Sequence, residues 1–258
     1  MNRSFIDLIG REPLDVEMDY YVDYLKINDS SFESRDSMIV VLMTDTQPRP
    51  EEGSYKEACH QRIYDLAKAR FLEGVSDAQV QSEIGILAFA LQIDSLNGDY
   101  AGSSETLRKM RKLQSVIDCR LDYQNDSIEL DSVCARMIDN SIYDFINMNT
   151  FNFVNASFDN LFWRYLTEAE FRAGYDMIES NQSQIIFGGS GTNKEDYIDI
   201  LVRQREFYEG NIVWAYTTLM ARDPSTLELA DMMNHFWYDH DFQRVQRKII
   251  RTDDYAGF

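Results

Sequence analysis

From Ser54 onward the apolar residues of this chain recur every three to four positions with few interruptions. Glycine and proline, which would break such a pattern, number only 12 and 4 in 258 residues. A repeat near 3.6 residues puts these side chains on one face of a helix, and that face has to be covered by other helices. The expectation is an all-α protein, a single multi-helix bundle or helical array of about seven to nine helices. Aromatic residues make up 13% of the chain and supply the bulk a core needs.

Along the chain, Asp45 to Gly53 carries Pro48, Pro50 and Gly53 and reads as a loop. It divides an N-terminal arm, residues 1–53 with one or two short helices, from a main all-helical domain, residues 54–258. In the arm, Val16, Tyr20, Tyr24 and Ile27 predict a helix over Asp15–Ile27 with these residues on one face. The apolar run Met38 to Met43 fits a short helix or a buried strand. In the main domain, Cys59, Ile63, Leu66 and Ala67 mark a helix over Tyr55–Leu72, and Ser76 with Gln79 forms a capping box for the next. That next helix is the most hydrophobic. Val80, Ile84, Leu87 and Leu91 define one face, and Ile86, Ala88, Phe89, Ala90 and Ile93 fill most of the rest, so it is expected in the core. Asn97-Gly98-Asp99 ends it, and a helix from Ser103 to Ile117 returns antiparallel with Leu107, Met110, Leu113 and Ile117 inward.

Further helices are expected from Asp131 or Ser132, with Cys134, Ile138, Ser141 and Phe145 on one face, then over 157–179 and 194–220. A last one starts at Asp223-Pro224, runs to Arg251 and breaks around Tyr238 to Asp241. Asn147 to Asn155 reads as a connection, Gly188 to Asn193 as a loop, and Thr252 to Phe258 as a frayed end. The hairpin around Asn97 has a tetratricopeptide look, but no second copy follows at a fixed period.

The formal charge is −19, from 44 acidic and 25 basic side chains. Such a surface repels a phosphate backbone. The densest basic stretches, Arg108-Lys109 with Arg111-Lys112 and Arg244 with Arg247, Lys248 and Arg251, sit at helical spacing and read as solvated helix faces. Direct nucleic-acid binding by this chain alone is therefore not expected. Nor is a membrane span, since the longest dense apolar run is far short of ~20 residues. Cys59, Cys119 and Cys134 form no CxxC pair and read as buried reduced thiols of an intracellular protein, nuclear or cytoplasmic. Met1 to Gly10 lacks the apolar core of a signal peptide.

No catalytic or metal-binding signature emerges, and no cofactor is expected. Gly188 to Thr192 lacks the Lys-Ser/Thr of a phosphate loop, since Lys194 is followed by Glu195. Glu57 and His60 share a helix face, but a di-iron bundle needs a second such pair. His235 and His240 are five apart, one step too far for a zinc pair on one helix face, and Asp239 and Asp241 lack the spacing of a calcium loop. Ser190 between Gly189 and Gly191 lacks the spacing of a nucleophile elbow, and the acidic pairs Glu51-Glu52 and Asp253-Asp254 are isolated.

The stretch from Tyr55 to Ile117 resembles part of the regulatory domain of fungal-specific transcription factors. The run Gln81 to Tyr100, QSEIGILAFALQIDSLNGDY, matches that family's core helix and Gly-Asp turn, and Leu107 to Leu113, LRKMRKL, its second helix. The likeness covers about a quarter of the chain and rests on spacing and hydrophobic character. The family's six-cysteine zinc cluster has no counterpart in three cysteines, and the histidine often found in its second helix is not matched. The resemblance implies an all-helical fold and a role in transcriptional regulation through partners or a small effector, in a domain that does not grip DNA by the usual route.

Three functions compete. The first is a non-enzymatic regulatory or interaction domain that acts through a protein partner, through self-association or through a small-molecule effector. The second is an all-helical enzyme or small-molecule-binding protein with a scattered site, which a deep pocket of convergent ionisable groups would favour. The third is a viral or structural self-assembling protein, which a large flat apolar face would favour.

Overall fold

The computed structural model describes residues 1–49 and 53–257; the pair Glu51-Glu52, Pro50 of the arm's loop and the terminal Phe258 lie outside them. The described chain is all-α apart from one two-stranded hairpin. It forms 15 helices rather than seven to nine. In order these are α1 (Asn2–Ile9), α2 (Asp15–Ile27), α3 (Phe32–Thr44), α4 (Tyr55–Phe71), α5 (Asp77–Leu96) and α6 (Tyr100–Gln124). Then come α7 (Leu130–Ile138), α8 (Ser141–Asn147), α9 (Thr150–Phe162), α10 (Glu168–Glu179), β1 (Gln184–Ile186) and β2 (Gly189–Gly191). The chain finishes with α11 (Lys194–Val202), α12 (Arg205–Met220), α13 (Thr226–Asp239), α14 (Phe242–Ile250) and α15 (Asp253–Ala256).

Three of the additional helices come from breaks that carry no Gly or Pro. The expected helix over 157–179 is α9 and α10, parted where Trp163 turns left-handed at φ 56°. The one over 194–220 is α11 and α12, and the one from 131 is α7 and α8. The stretch Asn147 to Asn155, expected as a connection, starts a helix instead: the Asn149 side chain accepts the first free amide of α9, as that of Asn140 does for α8. Glu129, not Asp131 or Ser132, occupies the cap position of α7. Ser225 caps α13 in place of Asp223, because Glu228 three residues on closes a capping box with it. The tail is not frayed as far as Gly257: Thr252 caps α15, and Tyr255 is buried, its hydroxyl on Asp7 at 2.7 Å.

Three helix junctions share one construction. The chain reads Leu8-Ile9-Gly10-Arg11 before α2, Leu161-Phe162-Trp163-Arg164 before α10 and Leu219-Met220-Ala221-Arg222 before α13. The third residue of each is left-handed (φ 81°, 56° and 54°). The arginine then donates to the carbonyl of the next residue, at 2.9–3.0 Å, and to both oxygens of a glutamate six positions on: Glu17, Glu170 or Glu228. The same glutamate accepts the N–H of Leu14, Thr167 or Ser225 at the helix start, at 2.7–2.8 Å. One carboxylate thus satisfies an orphan amide and neutralises a guanidinium at the positive end of a helix. All three glutamates are held at about 2. Glu17 and Glu170 reach that value against the opposing effect of burial, through Arg11 and Arg164 respectively.

Backbone contacts group the chain into two compact units, Met1–Asp65 with Tyr208–Phe258, and Leu66–Phe207. In the first, Phe5 meets Tyr21 and Tyr55 edge-on at 5.9 and 5.7 Å, and Trp214 stacks on Phe242 at 5.2 Å. The face of α2 is the reverse of the one expected. Val16, Tyr20 and Ile27 are exposed, and the helix buries Tyr21 and Glu17, the latter bonded by the Tyr55 hydroxyl at 2.6 Å. In the second unit, Leu113, Val116 and Cys119 of α6 lie in a core with Cys134 and Met137 of α7, Phe158 and Leu161 of α9, and Tyr197 and Leu201 of α11. The Tyr197 hydroxyl is 2.8 Å from that of Ser157.

Candidate interaction surface

The helix expected at the centre of the core is the one least covered. Of its 20 residues α5 buries only Val80. It starts as the sequence indicates: the Ser76 hydroxyl accepts from Gln79 N–H at 3.2 Å, while Gln79 Oε1 accepts from Ser76 N–H at 2.8 Å. It ends at Asn97-Gly98-Asp99, and α6 returns beside it. Asp99 caps α6 through the amide of Gly102, and Thr106 bonds Asp94 across the hairpin at 3.1 Å. The sequence-based expectation of an antiparallel pair holds, but among the described residues α5 packs extensively along α6 alone.

Two apolar stripes run down α5, each at alternating spacings of three and four. Val80, Ile84, Leu87 and Leu91 form the inner stripe, buried or half-buried on α6. Ile86, Phe89, Ile93 and Leu96 form the outer stripe and stand in water, 60%, 66%, 43% and 87% exposed. Spacings of three then four then three are those of a coiled-coil seam, the geometry by which one helix packs into another. From Ile84 to Ile93 there is no charged residue at all, ten positions in a chain of net charge −19. Gly85 beside the stripe has open space where a side chain would stand. A contiguous exposed apolar stripe of this kind is a mark of an interaction surface.

Arg108 and Lys112 of α6 flank the hairpin but are committed within the unit. Arg108 holds Glu105 and Glu195, and Lys112 holds Asp139 and Glu195, at 2.6–2.9 Å. Lys112, foremost, keeps Glu195 below the ordinary carboxylate range, and Arg108 does the same for Glu105. The second basic stretch, in the first unit, lines a groove of ≈ 400 Å3 between α3 and α14. There Arg244 meets Asp239, Arg247 and Arg251 meet Asp36, and Lys248 meets Asp231. A groove whose cations already hold carboxylates has little pull on an anionic ligand.

The residues that suggested chemistry are occupied structurally. Glu57 Oε2 accepts the amide and hydroxyl of Ser54 at 2.8 and 3.0 Å, and buried His60 pairs its Nδ1 with the Lys56 carbonyl at 2.7 Å. His240 is the left-handed cap of α13 and stacks on Tyr208, and Asp241 caps α14. The glycine-rich run is not a loop but half of the hairpin β1–β2, turned by Phe187 and Gly188, both at positive φ. Gly191 is required by packing: a Cβ there would lie 2.5 Å from Asp196 and 2.9 Å from the Met177 sulfur. Phe145, expected inward on α8, is exposed. Burial pushes the thiols of Cys59, Cys119 and Cys134 up to about 12, which makes them poor nucleophiles and poor ligands. Among the described residues no three His, Cys, Asp or Glu side chains gather as a metal site would need, and no helix is long and apolar enough to cross a membrane.

Comparison with family models, curated proteins and solved structures finds no match to this chain.

Proposed function

We propose that this chain is a non-enzymatic regulatory or protein-interaction domain that takes its partner on the outer stripe of α5. The observation that supports the reading is that Ile86, Phe89, Ile93 and Leu96 are directed to water on a helix whose residues 84–93 carry no charge, in a strongly acidic protein. Keeping such a stripe exposed costs solubility, and occupancy by another helix would repay it. The α5–α6 hairpin is also the segment that resembles the fungal regulatory domain, so the reading extends to control of transcription through partners rather than through DNA. Its three unpaired, buried cysteines suit a reducing compartment, the nucleus or cytoplasm.

Carbene footprinting of the chain at nanomolar concentration tests this reading. Leu96, Phe89 and Ile93 should label strongly and in that order, as their exposure falls, and Val80 and Leu113 hardly at all. Protection of the outer stripe in the monomer would show it covered by the chain's own residues and would remove the docking surface.

A further inference from the structure

We propose that the occupant of the outer stripe is the α5 of a second copy of this chain, packed antiparallel about a two-fold axis so that two hairpins make a four-helix bundle. The inference rests on the reading of the stripe as a docking surface and adds the identity of the partner. A vacant seam with residues at alternating spacings of three and four is filled by another such seam. In antiparallel order Ile86 faces Leu96 of the second copy and Phe89 faces its Ile93, and the two-fold repeats both layers. All four side chains are then used, with none left over.

The charges distinguish a second copy from an arbitrary partner. Beside a two-fold axis each residue meets its own equivalent, so any charge there meets its like. The positions flanking the axis are Ala90 and Gln92, both uncharged. The charges further out avoid each other as well: Glu83 falls opposite Asn97 of the second copy, and Asp99 opposite Gly85. Two molecules of charge −19 repel each other, and a strip without charge from Ile84 to Ile93 is where they can approach at least cost.

The area is of the right size. At their exposed fractions the four side chains present on the order of 500 Å2 per copy. That is ~1,000 Å2 of apolar contact over two copies, and the flanking Gly85, Ala90, Gln92 and Asn97 carry the total into the ~1,200–2,000 Å2 of a standard interface.

Sedimentation velocity across nanomolar to tens of micromolar concentration, with Ala90→Cys cross-linking, tests the proposal on the full chain. The mass should rise from 30.1 kDa to twice that value. Phe89→Glu should weaken the association ~100-fold or more while leaving the circular dichroism unchanged. Ala90→Cys should form a disulfide dimer under mild oxidation, against a background in which the three native cysteines are buried. A parallel pairing would hold the two position-90 side chains on opposite flanks of the seam, so the cross-link reports the antiparallel order. A chain that stays monomeric overturns the second copy as partner; if footprinting still finds the stripe open, the docking surface itself stands. A dimer that survives Phe89→Glu, or that fails to cross-link through position 90, also overturns the proposal.

Discussion

Replacing Glu17 with glutamine should cost ~2–3 kcal/mol near neutral pH, and the cost should vanish in acid. Burial opposes the Glu17 charge, but Arg11 at 2.7 and 2.9 Å, the Tyr55 hydroxyl at 2.6 Å and the Leu14 amide at 2.8 Å all favour it. The balance takes the carboxyl from an ordinary 4.5 to about 2. At ~1.4 kcal/mol per pH unit that displacement is worth ~3 kcal/mol. Because the folded value lies below the unfolded one, the stabilisation is complete above 4.5 and is lost as pH falls toward 2. Glutamine keeps the shape and loses the charge, so it should remove most of this contribution. Acid also relieves the repulsion of a −19 surface, so the absolute stability of either protein mixes opposing effects. The difference between wild type and Glu17→Gln cancels the shared part. Urea unfolding followed by far-UV circular dichroism at several pH values gives that difference, which should shrink toward zero at about pH 2. A gap that stays constant over the same range would refute the account of the junction.

Other outcomes follow from the same geometry. Leu113→Ala, at a fully buried position of α6, should cost ~2–5 kcal/mol in denaturant unfolding, as core truncations do. Gly191→Ala should cost ~1–3 kcal/mol, because its methyl group would overlap Asp196 and Met177 behind the hairpin β1–β2. All three thiols should resist a disulfide reagent in the native state and react at once in denaturant, since each is buried.

Much of the fold could be read from residue spacing. The bounds of α2, the start of α5, the turn at Asn97-Gly98-Asp99 and the break after Tyr238 follow from periodicity, capping and turn chemistry. Breaks at Asp139, Trp163 and Arg203 could not be read that way, because no Gly or Pro marks them. A subtler signal was present: a leucine, then three positions on an arginine, then six further on a glutamate, found before α2, α10 and α13. It shows as a repeat only once the shared hydrogen bonds are seen. The misplaced faces have a different cause. Period locates the stripes on a helix but not what covers them, so α5 with two stripes looks like a core helix and α2 looks anchored by Val16 and Tyr20. The candidate surface was therefore visible as an unusually apolar helix, and its exposure was not.

The comparison of Phe89→Glu with Leu87→Glu in thermal unfolding, at concentrations where the chain is monomeric, tests most directly whether α5 keeps one apolar stripe vacant. Glutamate at Phe89 should leave the midpoint within ~2 °C, whereas glutamate at Leu87, against α6, should lower it by ~6–12 °C. Equal losses at the two positions would mean that both stripes are covered in the monomer, contradicting the vacancy on which the docking surface and the paired hairpins depend.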